Sequence, residues 1–340
     1  MRYEMNKENS IVQVHSSNLV KVENCIRVSN SILYGSISSL FNKAFCILNS
    51  KKKLNTDIDY LCLLETNPHY RKSQNFGFVA KSNDDYREAL LIFVEILKIK
   101  PKHVLSIEMY AICEDRLDNF LGAIKLFSTA IEIDPKYAYA YIGRGLAKYK
   151  INDSQGAIED FSKSIEIDSK DAFAYYGRGI AKNSLIDRLG AIEDYSKAIE
   201  IDPEYYFAYN ERAQAKYELQ DYHGASVDYS KAIEIFPENV IAYYYRGMLK
   251  FNLQDFEGAI EDYSKSIEID PEFDIAYSDR AMAKYYIDDY QGAIEDYSKV
   301  IEIDPKFADA YYCRGIVKEK IGDIEGSLHD YNIHYNLTNA

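Results

Sequence analysis

The chain has 340 residues, is 47% hydrophobic and 28% charged, and carries a formal net charge of −14. That apolar content is too high for a disordered chain, and so acidic a balance disfavours a nucleic-acid ligand, because neutralising phosphates requires a basic face. The acidity is local: residues 1–69 hold 8 Lys+Arg against 6 Asp+Glu, whereas residues 70–340 hold 32 against 48.

Residues 1–36 carry no usable pattern. The start lacks a basic stretch followed by an apolar run and a small-residue cleavage site. The mildly apolar stretch 31–48 is broken by Lys43 and several serines, so neither a signal peptide nor a membrane span is expected. Residues 37–69 fit a degenerate version of the repeat described next, one residue out of phase, marked by Leu40, Ala44, Tyr60 and Pro68.

From residue 70 onward a 34-residue period governs the chain. Six of the seven prolines (Pro101, Pro135, Pro203, Pro237, Pro271 and Pro305) stand on one lattice of that step, with Ser169 at the vacant point. Starting each unit after two residues beyond the proline gives a divergent unit at 70–103 and seven regular ones beginning at 104, 138, 172, 206, 240, 274 and 308. The eighth residue of a unit is small, as in Gly145, Gly179, Ala213 and Gly247. The twentieth is alanine through Ala293 and then Ser327, and a ring follows four later, as in Phe161, Tyr195 and Tyr229. The first half of a unit repeats at helical spacing. The second half carries an apolar stripe such as Ile192, Tyr195, Ala198 and Ile199. Asp153, Asp187, Asp221, Asp255, Asp289 and Asp323 are placed to cap the second helix, and Asp-Pro pairs such as Asp202–Pro203 end it. The expected fold is all-α, two short helices per unit, each unit burying its apolar face against its neighbours.

These residues resemble the tetratricopeptide repeat family, whose pattern of an aromatic, a small residue four on, alanine, an aromatic four on and proline is met within one unit by Tyr209, Ala213, Ala225, Tyr229 and Pro237. The likeness is strong over 104–340 and weaker over 70–103. It implies a right-handed α-solenoid, a superhelix of 34-residue antiparallel helix-hairpin repeats. Tyrosine replaces the family's usual tryptophan. Arg144, Arg178, Arg212, Arg246, Arg280 and Arg314 stand where the family usually has leucine. Sixteen residues after each arginine comes an aspartate: Asp160, Asp194, Asp228, Asp262, Asp296 and Asp330. Three readings are open: an ion pair inside each unit, two groups that project separately to water, or arginines that grip an anionic ligand. Exposed pairs would contribute only about 0–1 kcal/mol each and fix hairpin geometry more than stability.

The resemblance also implies that first helices line a concave peptide-binding groove. At the corresponding positions the chain has Tyr139, Tyr149, Phe173, Tyr176, Phe207, Tyr217, Tyr244, Met248, Phe251, Met282, Tyr285 and Tyr312, a set rich in rigid amphipathic side chains suited to binding hot spots. Some of these must pack between units instead. No basic cluster marks the wall, which sets aside the family's clamp for chaperone-tail carboxylates. The partner expected is another protein, offered as an extended or helical segment. The alternative is a structural solenoid that self-assembles through its terminal repeats as a weak homo-oligomer. The last helix has drifted polar at Asn332, His334 and Asn336 while Tyr331, Ile333, Tyr335 and Leu337 remain, which leaves open a helix that caps the array itself or one that packs end-to-end against another copy.

Chemistry is sparse. Six scattered histidines and five cysteines at 25, 46, 62, 113 and 313 make no metal knuckle, and there is no phosphate loop, dinucleotide fingerprint or serine elbow. Acid pairs such as Glu193–Asp194 recur with the period, which marks them as structural. The sequence therefore predicts a non-enzymatic chain without catalytic residues, metal or cofactor. Odd, unclustered cysteines point to a reducing, cytoplasmic setting.

Overall fold

The computed structural model describes residues 40–44 and 83–339. The expectations for residues 1–36, for most of 37–69 and for the start of the unit at 70–103 lie outside the described residues. The chain divides into two compact units, Met1–Lys170 and Asp171–Ala340. Among the described residues all regular structure is helical.

In the first unit α1 (Asn83–Ile99) precedes the hairpins α2 (Val104–Arg116) with α3 (Phe120–Ile133) and α4 (Ala138–Lys150) with α5 (Ser154–Ile167). Each helix packs on the next, and α2 also touches α4. The helical residues 40–44 join this core through Phe41 and Ala44, with the Phe41 ring edge-on to Phe93 at 5.7 Å between centroids.

The second unit is built of five hairpins. They are α6 (Ala172–Ser184) with α7 (Arg188–Ile201), α8 (Tyr206–Glu218) with α9 (Tyr222–Ile235), α10 (Val240–Asn252) with α11 (Phe256–Ile269), α12 (Asp274–Tyr286) with α13 (Tyr290–Ile303), and α14 (Ala308–Lys320) with α15 (Ile324–Thr338). Every helix in it packs on its successor. Both units are all-α solenoids of stacked hairpins.

The local causes repeat. The second helix of a hairpin opens on a capping side chain, the amide of Asn119 in α3 and a carboxylate in the others: Asp153 Oδ1 accepts from Gly156 N at 2.9 Å, Asp221 from Gly224 and Asp323 from Gly326 in the same way. The third helical residue is glycine because a Cβ there would collide with the capping carboxylate folded over it. The helix ends at an extended aspartate, such as Asp202, whose carboxylate accepts the N–H two residues on, Glu204 N at 3.1 Å. A proline sits between them, where no amide donor is needed.

The turn inside each hairpin passes through the left-handed region, at Asn152 (φ 64°), Gln220 (φ 63°) and Gln254 (φ 63°), and the next residues return N–H groups to the last carbonyls of the first helix. Among the described residues glycine fills this position only at Gly322. At Ile186 a β-branched residue occupies it at φ 66°, which sterics disfavour strongly.

Packing explains the small residues. An added Cβ at Gly179 would stand 2.6 Å from Tyr195 Cε1, one at Gly247 2.9 Å from Tyr263, and one at Gly315 2.6 Å from Tyr331. Glycine within a helix costs about 1 kcal/mol against alanine. Fully burying a large ring contributes roughly 2–3 kcal/mol, so close approach wins. Phe127 and Phe161 in the first unit and Tyr195, Tyr229 and Tyr263 in the second are at most 1% exposed, while Tyr331 in the last hairpin is half-buried.

Candidate functional site

One side of the first helices from α4 onward carries a polar ladder. Arg144 donates from Nε to Asp160 Oδ2 at 2.9 Å and from Nη2 to Oδ1 at 2.6 Å, a planar fork on a carboxylate. The same two bonds join Arg178 to Asp194, Arg212 to Asp228, Arg246 to Asp262, Arg280 to Asp296 and Arg314 to Asp330, all between 2.6 and 2.9 Å. A lysine four residues after the arginine holds the second oxygen, as Lys148 Nζ holds Asp160 Oδ2 at 2.8 Å. The guanidinium lies over the tyrosine three residues before it, Arg144 over Tyr141 at 5.6 Å. Its remaining nitrogen reaches the preceding hairpin: Arg144 Nη1 donates to Ser128 Oγ at 3.1 Å, Arg246 to Ser230 at 3.1 Å and Arg314 to Ser298 at 3.0 Å. The ladder thus ties hairpins together as well as closing each one.

These aspartates are buried, unlike the exposed pairs used above to judge their worth. Burial alone would raise the Asp330 carboxyl, but hydrogen bonds and charge from Arg314 and Lys318 outweigh it and hold the group below the ordinary carboxylate range. The lysine and serine rungs were missed in the sequence. Both recur every 34 residues, as in Lys148 and Lys182, or Ser196 and Ser230, and that period was the available signal.

The candidate groove residues lie on the first helices. In the first unit Tyr139 and Tyr149 are half-buried, and the Tyr139 ring stands 6.1 Å from Tyr137. In the second unit Tyr176 sits among Phe173, Tyr195, Tyr205 and Phe207, with centroids 5.1–6.5 Å away. Tyr244 sits among Tyr245, Tyr263 and Phe273, and its hydroxyl donates to Asp279 Oδ2 at 2.9 Å. Phe251 packs edge-on against the stacked rings of Phe256 and Tyr286, Tyr285 packs on Tyr290, and Tyr217 packs on Tyr222 and accepts from Asn252. Met248 is half-buried. These side chains are largely committed to packing between neighbouring helices.

The open part of the wall is different. Phe207, Ile241 and Ile275, at the second position of α8, α10 and α12, are 47%, 46% and 50% exposed, and Met282 and Tyr312 are exposed as well. Two carboxylates stand one turn beyond the exposed row, Glu211 after Phe207 and Asp279 after Ile275. Burial raises both above the ordinary range, with the charge of Glu218 adding to the effect at Glu211 and the Tyr244 hydrogen bond opposing it at Asp279.

Comparison with known proteins follows from this geometry. Models of the tetratricopeptide repeat match residues 240–273, 138–171 and 208–239, and a further model described as a TPR repeat matches 283–322. The chain is a tetratricopeptide repeat protein. Comparison with curated protein sequences returns no match. Among solved structures, yeast Tom70 is similar at 21% identity and TM-score 0.51, over 88% of this chain and 65% of its own. A tetratricopeptide repeat protein from Parabacteroides merdae is similar at 18% identity and TM-score 0.52, over 69% and 93%. Pseudomonas aeruginosa pilF is similar at 19% identity and TM-score 0.51, over 57% and 88%. At these identities the likeness is one of fold. No helix among the described residues is long and apolar enough to cross a membrane, and no group of three or more His, Cys, Asp or Glu among them could hold a metal. An array of tetratricopeptide repeats is a protein-interaction scaffold, and that coarse function applies here.

Proposed function

We propose that the protein is a non-enzymatic adaptor that holds an extended or helical segment of another protein against the wall formed by its first helices. The observation that carries this reading is the exposed row Phe207, Ile241 and Ile275, three large apolar side chains at one helical position in three successive hairpins. Large apolar side chains left open at equivalent positions of successive hairpins support an interaction surface. The ladder supports the same reading by exclusion, since its arginines are spent on Asp194, Asp228, Asp262 and their equivalents rather than on an anionic ligand.

The test is affinity capture from a native lysate with wild type and with a Phe207→Ala, Ile241→Ala, Ile275→Ala variant. These positions are exposed, so the variant keeps its helicity and melting temperature. A protein captured by wild type and lost by the variant supports the wall as the binding surface; equal capture by both refutes it. A second reading, self-assembly, draws on Ile324, Leu328 and Tyr335, all more than half exposed on α15. It predicts a mass in solution that rises with concentration and falls back on Tyr335→Ser.

A further inference from the structure

The charges on the proposed wall are one-sided. Every arginine and lysine on α6, α8, α10 and α12 belongs to the ladder: Arg178 and Lys182 on Asp194, Arg212 and Lys216 on Asp228, and so on through Arg280 and Lys284 on Asp296. The acids on those helices are unevenly served. Glu218 is held by Arg188, and Asp274 accepts from the backbone N–H of Ile275. Glu211 and Asp279 have no cationic partner among the described residues; the tyrosine hydroxyl on Asp279 leaves its charge uncompensated.

Both acids stand beside open apolar surface. Glu211 is one helical turn from Phe207 on α8, and Asp279 one turn from Ile275 on α12. Ile241 and Tyr245 fill the same two positions on α10 between them. The ring of Tyr245 is stacked on Tyr229 at 5.8 Å, which gives the interval between the acids a fixed apolar floor. A wall of this kind is incomplete electrostatically and apolar elsewhere. A carboxylate that is half-buried and lacks a cation attracts one strongly, because part of its desolvation has already taken place in the free protein.

We propose that the wall receives a segment of another protein in which large apolar side chains are interspersed with arginine or lysine. The apolar groups cover Phe207, Ile241 and Ile275, and the cations meet Glu211 and Asp279. This rests on the reading of the first-helix wall as the binding surface and names the chemistry of its occupant. Arginine is the better match of the two, since its planar fork can pair with the Asp279 carboxylate while its face lies on the neighbouring tyrosine rings.

The experiment displays a random library of short peptides to the full-length protein and synthesises the most enriched one with a fluorescent label. Its affinity is measured by anisotropy against wild type, a Glu211→Gln, Asp279→Asn variant and a Phe207→Ala, Ile241→Ala variant. The expected result is enrichment of peptides that carry arginine or lysine beside large apolar residues, with binding about tenfold weaker or more in both variants. Neutral or acidic peptides, or a Glu211→Gln, Asp279→Asn variant that binds as wild type while Phe207→Ala, Ile241→Ala does not, would overturn the basic occupant and leave the wall standing. Absence of any enriched peptide, or full binding by both variants, would overturn the wall itself. A concentration-dependent mass abolished by Phe207→Ala, Ile241→Ala would assign the wall to a second copy of the chain and equally overturn the proposal. Circular dichroism and melting of each variant, matched to wild type, keep these outcomes separate from misfolding.

Discussion

Removing one ladder aspartate should destabilise the array far more than removing a surface ion pair. Asp262 is the clearest case. Its side chain is 2% exposed and takes Arg246 Nε at 2.8 Å, Arg246 Nη2 at 2.7 Å and Lys250 Nζ at 2.9 Å. In Asp262→Ala both cations lose their anion. Breaking a buried pair from one side costs about 3–5 kcal/mol. Here the Arg246 and Lys250 side chains are 20% and 26% exposed, and Arg246 keeps Ser230 Oγ at 3.1 Å and the Tyr243 face at 5.6 Å. The lower end of that range, about 3 kcal/mol, is therefore expected. The control is Lys265→Ala, which breaks a 2.7 Å pair with Glu268 whose partners are 52% and 68% exposed, and should leave the urea midpoint essentially unchanged. Urea unfolding followed by circular dichroism at neutral pH compares the two. Arg246→Leu, which leaves Lys250 on Asp262, should cost less than Asp262→Ala, and the double variant should cost clearly less than the sum. The reasoning fails if Asp262→Ala is no worse than Lys265→Ala, or if Arg246→Leu and Asp262→Ala simply add.

Two glycines on one helix should behave oppositely. A Cβ at Gly143 lands under 3.0 Å from three atoms of the Phe127 ring, whereas one at Gly145 finds Phe161 at 3.3 Å. Gly143→Ala should cost about 2 kcal/mol despite its gain in helix propensity and Gly145→Ala should stay within about 1 kcal/mol of wild type, both read from urea midpoints. Ile186→Asn should stabilise by about 1 kcal/mol in the same assay, because Ile186 is 77% exposed, so little packing is lost, and asparagine tolerates φ 66° far better. The raised carboxyls of Glu211 and Asp279 bind protons more tightly folded than unfolded. They therefore favour the fold below the ordinary carboxylate range, and that contribution is lost as pH rises through their raised values. Glu211→Gln, Asp279→Asn should accordingly melt at or above wild type at pH 7, and the advantage should shrink as pH falls toward about 4. A melting temperature for this variant several degrees below wild type at pH 7 would contradict the burial argument.

Much of the fold was legible because the chain writes the same structural statement many times. A cap at Asp153, a glycine facing the ring of Tyr195 and a proline after Asp202 are each weak signals alone. Repeated in phase, they gave hairpins of helices before any coordinates. The ladder was only half legible for the opposite reason. Arg246 and Asp262 were visible as a recurring pair, but the contact from Arg246 to Ser230 joins different hairpins and depends on how they stack. The depth of burial of Asp262 was invisible too, because a residue that reads as polar surface in one helix is covered by the next. The wall was the least legible part. Tyr176 and Phe207 both look like groove aromatics in the sequence, yet Tyr176 is enclosed by four rings while Phe207 remains nearly half exposed.

That contrast separates two kinds of residue in a repeat protein. A side chain that serves the architecture must serve it in every hairpin, so Arg212, Arg246 and Arg280 are the same residue doing the same thing. A side chain that serves recognition gains from being unlike its equivalents, since an extended ligand meets a different neighbour at each repeat. The sixth residue of the unit illustrates this: Glu211, Tyr245, Asp279 and Cys313 share one backbone setting but alternate between a carboxylate and an uncharged side chain. Packing explains the glycines at the same position in earlier units, where Gly143 lies against Phe127. Packing does not account for two uncompensated carboxylates that burial pushes toward neutrality. Under the proposed binding mode they make the stretch from α8 to α12 the place where a ligand's charge is read, and substitutions there should change what binds without changing how the array folds.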